Sequence, residues 1–171
     1  ILANAELAVE IDPVVTRREQ IALLRGLGFK RLSMGVQDFD AEVQNAVHRV
    51  QTVAETKAIL DYARELGFSS VNFDLIYGLP KQTAATWLTT LKTLTDLAPD
   101  RVAVFSFAFV PDVRKNQSKL NAIDMLTGPA KLELFGLAHD VLTDAGYQSI
   151  GMDHFALPKD ELSQARQRKQ L

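Results

Sequence analysis

The sequence of 171 residues contains no cysteine, so it can form no disulfide and offers no thiolate to a metal. It has 19 basic and 21 acidic residues, and the net charge of −2 gives no bulk attraction to nucleic acid. No apolar run approaches the roughly 20 residues of a membrane-spanning helix, and no signal peptide is visible. We therefore expect a cytoplasmic protein that binds neither nucleic acid nor membrane.

Hydrophobic residues make up 47% of the chain, which is enough for one sizeable core and predicts one folded domain. The chain begins at Ile1 rather than at methionine, and it ends in the polar segment QARQRKQL. We expect a piece of a longer polypeptide, in which residues 1–156 form the folded part. Residues 157–171 are expected to be a polar tail without a fold element.

The apolar pattern alternates between strand-like and helix-like segments. Strands are predicted over residues 7–11, 30–34, 70–77, 101–109 and 147–152. Helices are predicted over residues 16–26, 40–47, 52–66, 83–97 and 129–145. Residues 111–121 look like a polar loop or an irregular helix. This βαβ order predicts an α/β fold with a parallel sheet and right-handed crossovers, and residues 7–11 suit a strand buried on both faces.

Helix 52–66 has the clearest boundary signals. Thr52 followed three residues later by Glu55 is a capping box, and Gly67 stands where helices commonly end. We therefore expect this helix to be well defined.

Polar or glycine-rich residues follow several of the predicted strands. The blocks are RLSMGVQDFD from residue 31, VHRVQ from residue 47, VNFDLIYGLPKQT from residue 71 and GMDHFA from residue 151. A parallel β/α barrel carries its chemistry at the carboxyl ends of its strands. These blocks are therefore the candidate functional segments.

Four side chains in or near these blocks could bind a polar ligand. The Glu10 carboxylate could accept hydrogen bonds from hydroxyl or ammonium groups, and the Gln37 amide could both donate and accept. The Arg49 guanidinium could bind a carboxylate through paired hydrogen bonds. Asp74 lies in an apolar strand, where an unpartnered carboxylate is costly, so it needs a partner. The alternatives are an ion pair for Glu10 or Asp74, a turn residue for Gln37 and a surface charge for Arg49.

Asp153 and His154 follow the last predicted strand. An aspartate–histidine pair can move a proton or orient a substrate carboxylate. A purely structural hydrogen bond between the two is an equal alternative.

In their order and residues, these blocks resemble the oxygen-independent coproporphyrinogen III oxidases, a family of radical S-adenosylmethionine (SAM) enzymes. The resemblance runs from about Glu6 to the C-terminal segment and implies the later part of an incomplete (β/α)6 barrel. It implies SAM binding by Glu10, Gln37, Arg49, Asp74 and Ala108. It also implies a [4Fe–4S] cluster on a CxxxCxxC motif, which this cysteine-free chain lacks, so no metal ligand is assigned here.

The sequence departs from the family pattern at three positions. His48 stands where asparagine is commoner, and we interpret it as a local substitution rather than a ligand. The family more often has an asparagine near Ser106 and a histidine near Phe109. The GMDHFA block favours the oxidases over the related haem chaperones, which assigns Asp153 and His154 to the substrate.

The resemblance implies oxidative decarboxylation of two propionates of coproporphyrinogen III to vinyl groups, giving protoporphyrinogen IX. It further implies a monomer that receives electrons from an unidentified donor. Without cluster ligands, this segment alone is expected to be inactive. The alternatives are a haem chaperone of the same superfamily, an ordinary β/α-barrel metabolic enzyme without a cluster, and a non-catalytic barrel remnant serving as an interaction module.

Overall fold

The computed structural model describes residues 5–120, 124–126 and 128–171. Six strands form one sheet: β1 (Ala8–Ile11), β2 (Arg31–Gln37), β3 (Ser70–Tyr77), β4 (Arg101–Ser106), β5 (Gln148–Gly151) and β6 (His154–Ala156). Six α-helices accompany them: α1 (Arg18–Gly26), α2 (Ala41–Ala46), α3 (Val53–Glu65), α4 (Ala84–Leu97), α5 (Gly128–Asp144) and α6 (Glu161–Gln167). A 3₁₀ helix, η1 (Lys115–Lys119), follows β4.

The sheet has the order β1-β2-β3-β4-β6-β5, and its first four strands are parallel. Glu10 is paired with Ser33 in register, Gly35 with Asp74, and Asp74 with Ala103. Helices separate the parallel strands, as their crossovers require. The predicted α/β class with a largely parallel sheet is confirmed.

The end of the sheet differs from the prediction, because residues 147–152 do not form a fifth strand beside β4. Gly151, at φ 149°, and Met152, at φ 48°, turn the chain back sharply after β5. The returning strand β6 lies antiparallel between β4 and β5. A tight turn can join only antiparallel neighbours, so the expectation of parallel strands throughout is wrong here.

The two faces of the sheet have opposite character. On one face, buried strand residues such as Met34, Phe73 and Val104 pack against helix residues that include Trp87 and Leu134. Side chains alternate along a strand, so the other face receives a mainly polar set: Glu10, Ser33, Gln37, Asn72, Asp74 and His154. Ala8 and Glu10 are exposed, which corrects the prediction that the first strand is buried on both faces.

The predicted start of helix α3 is confirmed in detail. The Thr52 hydroxyl oxygen accepts a hydrogen bond from the Glu55 backbone amide at 3.1 Å, and the Glu55 carboxylate accepts one from the Thr52 amide at 2.8 Å. The Thr52 amide and, at 2.7 Å, the Thr52 hydroxyl donate to the Glu55 carboxylate and lower its pKa. The positive φ of 78° at Gly67 turns the chain out of the helix toward β3.

The C-terminal segment differs from the expected polar tail, because it contains helix α6. Asp160 caps this helix by accepting a hydrogen bond from the Leu162 amide at 2.8 Å. The same carboxylate is buried against Ser70 and Arg101, at 2.8 Å from each. The division of the chain at residue 156 remains a prediction. The predicted loop 111–121 contains η1, and its last residue, Asn121, lies outside the described residues.

Within residues 5–120, 124–126 and 128–171, no helix is both long enough and apolar enough to span a bilayer.

Candidate functional site

A cleft lies at the carboxyl edge of the parallel strands. It contains a cavity of about 390 Å³ lined by the side chains and backbone of Gln37, Val47, His48, Arg49, Ile76, Leu79, Phe107, Gln117, Lys119 and Leu120. Two of the predicted site residues, Gln37 and Arg49, therefore share one cavity. Asp74 lies on the same face of β3 as Ile76 and about 7 Å from it, toward the amino end of the strand.

The end of β2 is distorted at the cleft. The register between β2 and β3 shifts between Gly35 and Gln37, and Gln37 has a φ of 68°. Such a backbone costs about 1–3 kcal/mol and is common at functional sites. A Cβ at position 35 would lie 2.7 Å from Gln37 Nε2 and 3.0 Å from an Arg49 η nitrogen. Glycine at position 35 therefore gives both side chains their room.

Arg49 follows α2 and reaches back across the cleft. One η nitrogen donates to the Gly35 carbonyl oxygen at 3.0 Å and lies 3.1 Å from the Asp12 carboxylate. Its Nε is buried without a hydrogen-bond partner in the described structure. A buried donor without a partner is unfavourable, so this edge of the guanidinium is suited to a ligand acceptor.

Asp74 is half-buried and is bound only by neutral groups among the described residues. It accepts hydrogen bonds from the Ser33 hydroxyl at 2.9 Å and the Asn72 side-chain amide at 2.7 Å. The Asn72 amide also donates to Ser33 at 2.8 Å. The structural ion pair considered for Asp74 is not found in this part of the chain, and its carboxylate keeps acceptor capacity on the polar face.

Glu10 lies on the same face as Asp74, one strand beyond Ser33, and is exposed. Ala108 lies past the end of β4 and lines a second cavity of about 450 Å³. Its carbonyl oxygen accepts a hydrogen bond from the Gln117 side-chain amide at 3.0 Å. Gln117 also lines the first cavity, so η1 connects the two.

Asp153 and His154 lie apart from this cleft. Asp153 is in the β5–β6 turn, where its carbonyl oxygen accepts from the Val104 amide at 2.8 Å. His154 is opposite Ala103, and its ring lies edge-on to Phe105 at 6.0 Å. Two strand spacings, roughly 10 Å, separate β6 from β3. No hydrogen bond joins the two side chains in the described residues, so they do not form the predicted pair.

A buried polar network behind the cleft was not predicted from the sequence. Asp38 accepts hydrogen bonds from the Asp40 amide at 2.7 Å, the Thr90 hydroxyl at 2.5 Å and the Gln82 amide at 2.6 Å. The side-chain oxygen Oε1 of Gln82 in turn accepts a hydrogen bond from the Gly78 backbone amide at 2.5 Å. This network joins the loops after β2 and β3. Burial raises the pKa of the Asp38 carboxyl, against the effect of these bonds.

Three glutamines, one in α2 and two in loops, were the available signal for this network. Gln44 donates to the carbonyl oxygens of Asp38 and Gln51, at 2.8 and 2.9 Å, and Gln51 donates to that of Val36 at 2.8 Å. All three of Gln44, Gln51 and Gln82 are buried. A buried amide requires partners, but the sequence does not say which loops provide them.

His48 has a φ of 55° and is exposed at the rim of the cleft. Asparagine adopts this left-handed backbone more readily than most residues, and histidine is also enriched there. The structure therefore gives a backbone reason for asparagine at this position, and the interpretation of His48 as a local substitution rather than a ligand stays a prediction.

The residues of the cleft fit SAM but not an iron–sulfur cluster. The unpartnered Nε of Arg49, the side-chain amide of Gln37 and the free acceptor capacity of Asp74 suit the carboxylate, ribose and ammonium groups of SAM. The chain has no cysteine to hold a cluster. Among the described residues, no group of three or more histidine, aspartate or glutamate side chains could hold a metal ion either.

The model of the radical SAM superfamily matches residues 1–94 of the chain. Because this match covers more than half of the sequence, the chain belongs to the radical SAM superfamily. The superfamily uses SAM together with a [4Fe–4S] cluster. Strands β1 to β3 and the cleft residues Gln37 and Arg49 lie within the matched segment, whereas β4 and η1 follow it.

The chain is also similar to proteins named oxygen-independent coproporphyrinogen III oxidase. It is 47% identical to those of Pseudomonas aeruginosa and Escherichia coli over 96% of its own length, and 45% identical to that of Synechocystis over 98%. The predicted resemblance is confirmed. The chain spans only 36% of the length of each of these relatives.

Solved structures give the same result. The coproporphyrinogen III oxidase of Escherichia coli, described as a radical SAM enzyme, superposes with a TM-score of 0.93 at 47% identity, covering 98% of this chain and 38% of that one. Archaeal Elp3 of Methanocaldococcus infernus superposes with a TM-score of 0.64 at 18% identity, covering 78% and 32%. The second likeness shows a shared fold only.

Proposed function

We propose that the polypeptide carrying this chain is an oxygen-independent coproporphyrinogen III oxidase. It oxidatively decarboxylates two propionate side chains of coproporphyrinogen III to vinyl groups and yields protoporphyrinogen IX in haem biosynthesis. The observation that carries this proposal is the 47% identity and TM-score of 0.93 to the Escherichia coli oxidase across 98% of the chain. The chain forms the later part of an incomplete (β/α)6 barrel in this proposal.

The chain contributes one wall of the SAM pocket. Arg49 binds the methionyl carboxylate through its η nitrogens and its unpartnered Nε. Asp74, held by Ser33 and Asn72, accepts hydrogen bonds from SAM hydroxyl or ammonium groups. When bound, SAM and the cluster supply the radical chemistry that activates the propionate.

Three further residues complete this wall. Gln37 contacts the ribose or the adenine edge from its bulged position after β2. Glu10 offers a second carboxylate from the exposed end of β1, and Ala108 provides a small side chain and backbone contact past β4. Their common task is to orient SAM and to exclude water from it.

Other parts of the proposal concern the whole enzyme. It acts as a cytoplasmic monomer, receives electrons from a separate donor, and holds its cluster through cysteines outside this segment. The 171-residue chain alone is then inactive, because it has no cysteine. Asp153 in the β5–β6 turn and His154 at the start of β6 contact the substrate, away from Gln37 and Arg49.

The test uses the full-length polypeptide, reconstituted anaerobically with iron and sulfide and supplied with SAM, a reductant and coproporphyrinogen III. We expect 5′-deoxyadenosine and protoporphyrinogen IX to be formed together. SAM cleavage without protoporphyrinogen IX would contradict the substrate. Formation of a cluster without either product would favour a haem chaperone, and failure to form a cluster would favour a remnant or an ordinary barrel.

Two aspartate variants test the role of the polar face. Asp74→Asn is expected to lower SAM affinity about tenfold or more, because it removes a charge that ligand donors would face. Asp96→Asn, at an exposed position of α4, is the matched control and should leave the affinity unchanged. Equal affinity in both variants would remove Asp74 from the SAM pocket.

A further inference from the structure

Lys131 occupies an unusual place in the second cavity. It lies in the first turn of α5, and its ammonium group donates a hydrogen bond to the Phe107 carbonyl oxygen past the end of β4. Its aliphatic stem lies against Gly78, where a Cβ would clash with the Cε atom of the lysine. The glycine of the β3–α4 turn therefore fixes this stem at the carboxyl edge of the sheet.

The cavity around Lys131 is mostly apolar. Its volume is about 450 Å³, and it is lined by Gly78, Phe107, Ala108, Phe109, Val110, Met125, Leu126, Gly128 and Lys131. No acidic side chain is among these described lining residues. The neighbouring carboxylate of Asp124 is bound to Lys81 at 2.8 Å. The ammonium group thus faces an apolar space without an acidic partner from the described chain.

This arrangement is unfavourable for stability by itself. The N-terminus of a helix carries a partial positive charge, which disfavours a cation in the first turn. Burial also lowers the pKa of Lys131, because the charged amine loses part of its hydration there. An ammonium group has three donors, and Phe107 uses one of them. An anion in the cavity would relieve the electrostatic cost and occupy the remaining donors.

We propose that Lys131 binds a carboxylate of the tetrapyrrole substrate, on an aliphatic arm whose apolar part fills this cavity. This inference rests on the proposed function, and it assigns a substrate contact to a residue that the sequence motifs did not indicate. A propionate on a large apolar ring matches the site, because one cation is surrounded by apolar walls. The carboxylate then pairs with an amine that Gly78 and Phe107 already hold in place.

The carboxylate of SAM is the other possible source of this chemistry. Arg49 already offers an unpartnered guanidinium nitrogen to a carboxylate, and it lines the first cavity rather than the second. Phe107 lines both cavities and lies between the two cations. The first cavity has its own cations, Arg49 and Lys119, for the carboxylate of SAM. SAM reaches the second cavity only at Ala108, which leaves Lys131 to a different carboxylate, that of the substrate.

The test compares ligand binding by full-length wild type, Lys131→Met and Lys131→Arg under anaerobic conditions. Equilibrium dialysis measures coproporphyrinogen III, quantified after oxidation to the fluorescent porphyrin, and SAM is titrated separately. Lys131→Met is expected to weaken coproporphyrinogen III binding roughly 10- to 100-fold, as for loss of a charged hydrogen bond, with SAM affinity unchanged. Lys131→Arg should retain most of the affinity.

Lys92→Met, on the exposed side of α4, is the matched control and should behave as wild type. The thermal midpoint of Lys131→Met should be unchanged or higher, since the lysine is electrostatically unfavourable in the free protein. A lower midpoint with unchanged substrate affinity would make Lys131 a structural residue and overturn the proposal.

The remaining outcomes separate the two proposals. Weakened SAM binding with unchanged substrate binding would assign Lys131 to SAM and overturn the substrate assignment. Unchanged binding of both ligands by Lys131→Met would overturn the carboxylate site while the proposed function stands. Failure of wild type itself to bind coproporphyrinogen III would contradict the proposed function instead.

Discussion

Arg49 donates a hydrogen bond from an η nitrogen to the Gly35 carbonyl oxygen at 3.0 Å, and the same nitrogen contacts Asp12 at 3.1 Å. One guanidinium thus joins the end of β2 to the segment that follows β1. A Cβ at position 35 would lie 3.0 Å from that nitrogen, so a side chain there would make the guanidinium shift away from this contact. The shape of the cleft therefore depends on this glycine as much as on the arginine.

Gly35→Ala should displace Arg49 and Gln37 and weaken SAM binding by the full-length protein. The new Cβ would press on the ends of both side chains, which are flexible and would move away from their places in the cleft. We expect SAM affinity, measured by calorimetric titration, to fall about tenfold or more.

Gly136→Ala is the matched control for this substitution. Position 136 lies inside α5, and a Cβ there would meet no atom within 4 Å. The change should stabilise the protein by about 0.5–1 kcal/mol and leave SAM affinity alone. SAM affinity in Gly35→Ala equal to that in this control would show that the cleft tolerates a side chain at position 35.

Asp38→Asn should destabilise the fold near neutral pH by about 1–3 kcal/mol, measured by urea unfolding. The carboxylate accepts from three donors, and an amide nitrogen would confront one of them, whether Gln82 or Thr90. Asp61→Asn on the exposed face of α3 is the control, since it loses only a surface ion pair with Lys57. Equal stability of the two variants would contradict a structural role for the network.

Burial of Asp38 also predicts how the stability of wild type changes with pH relative to that of Asp38→Asn. Its folded pKa is raised above the reference value of 3.8, so the folded state binds this proton more tightly than the unfolded state. Wild type should therefore lose stability relative to Asp38→Asn as pH rises from 3.8 through the folded pKa, with no further change above it. An unfolding free energy of wild type that rises with pH relative to that of Asp38→Asn in this window would contradict the prediction.

The regular elements were predictable because their signals are local. The capping box at Thr52, the glycine stop at Gly67 and the apolar periodicity all act within a few residues. The β5–β6 hairpin was missed because β6 has only three residues and its turn uses a positive φ at Met152, which is not a common turn residue.

The site was predictable to a lesser degree. The polar residues that follow the strands indicated the cleft, and the structure places Gln37 and Arg49 in it. Asp74 and Asp38 each have one partner two residues away, but their other partners lie 41 to 52 positions away, and no local pattern shows such distant pairings. Lys131 gives no motif signal, since its environment is made by Gly78 and Phe107 on other elements.

Thr52→Ala should lower the stability of the protein by about 1 kcal/mol, because the hydroxyl no longer satisfies the Glu55 amide. Thermal unfolding measures the effect. Thr89→Ala, at an exposed position within α4, removes a threonine without a capping role and should be neutral or slightly stabilising. A loss in Thr89→Ala as large as in Thr52→Ala would show that the cap is not the cause.

Asp160→Ala should release α6 from the sheet. The buried carboxylate binds Ser70 and Arg101 at the amino ends of β3 and β4, and its removal leaves Arg101 without its ionic partner. Breaking a buried pair costs about 3–5 kcal/mol, and Arg101 keeps some exposure, so we expect a loss of about 3 kcal/mol. Hydrogen exchange should become faster across Glu161–Gln167 than in α4.

Asp144→Ala is the control for this last variant. Asp144 is exposed at the C-terminal end of α5, where a negative charge is unfavourable, so its removal should be neutral or slightly stabilising. Protected exchange of α6 in Asp160→Ala would mean that other contacts hold the helix, such as the hydrogen bond from the buried Ser163 hydroxyl to the Ala156 carbonyl oxygen. Fast exchange in Asp160→Ala alone would assign the docking of the helix to this one carboxylate, because Asp144→Ala removes the same charge without the contact.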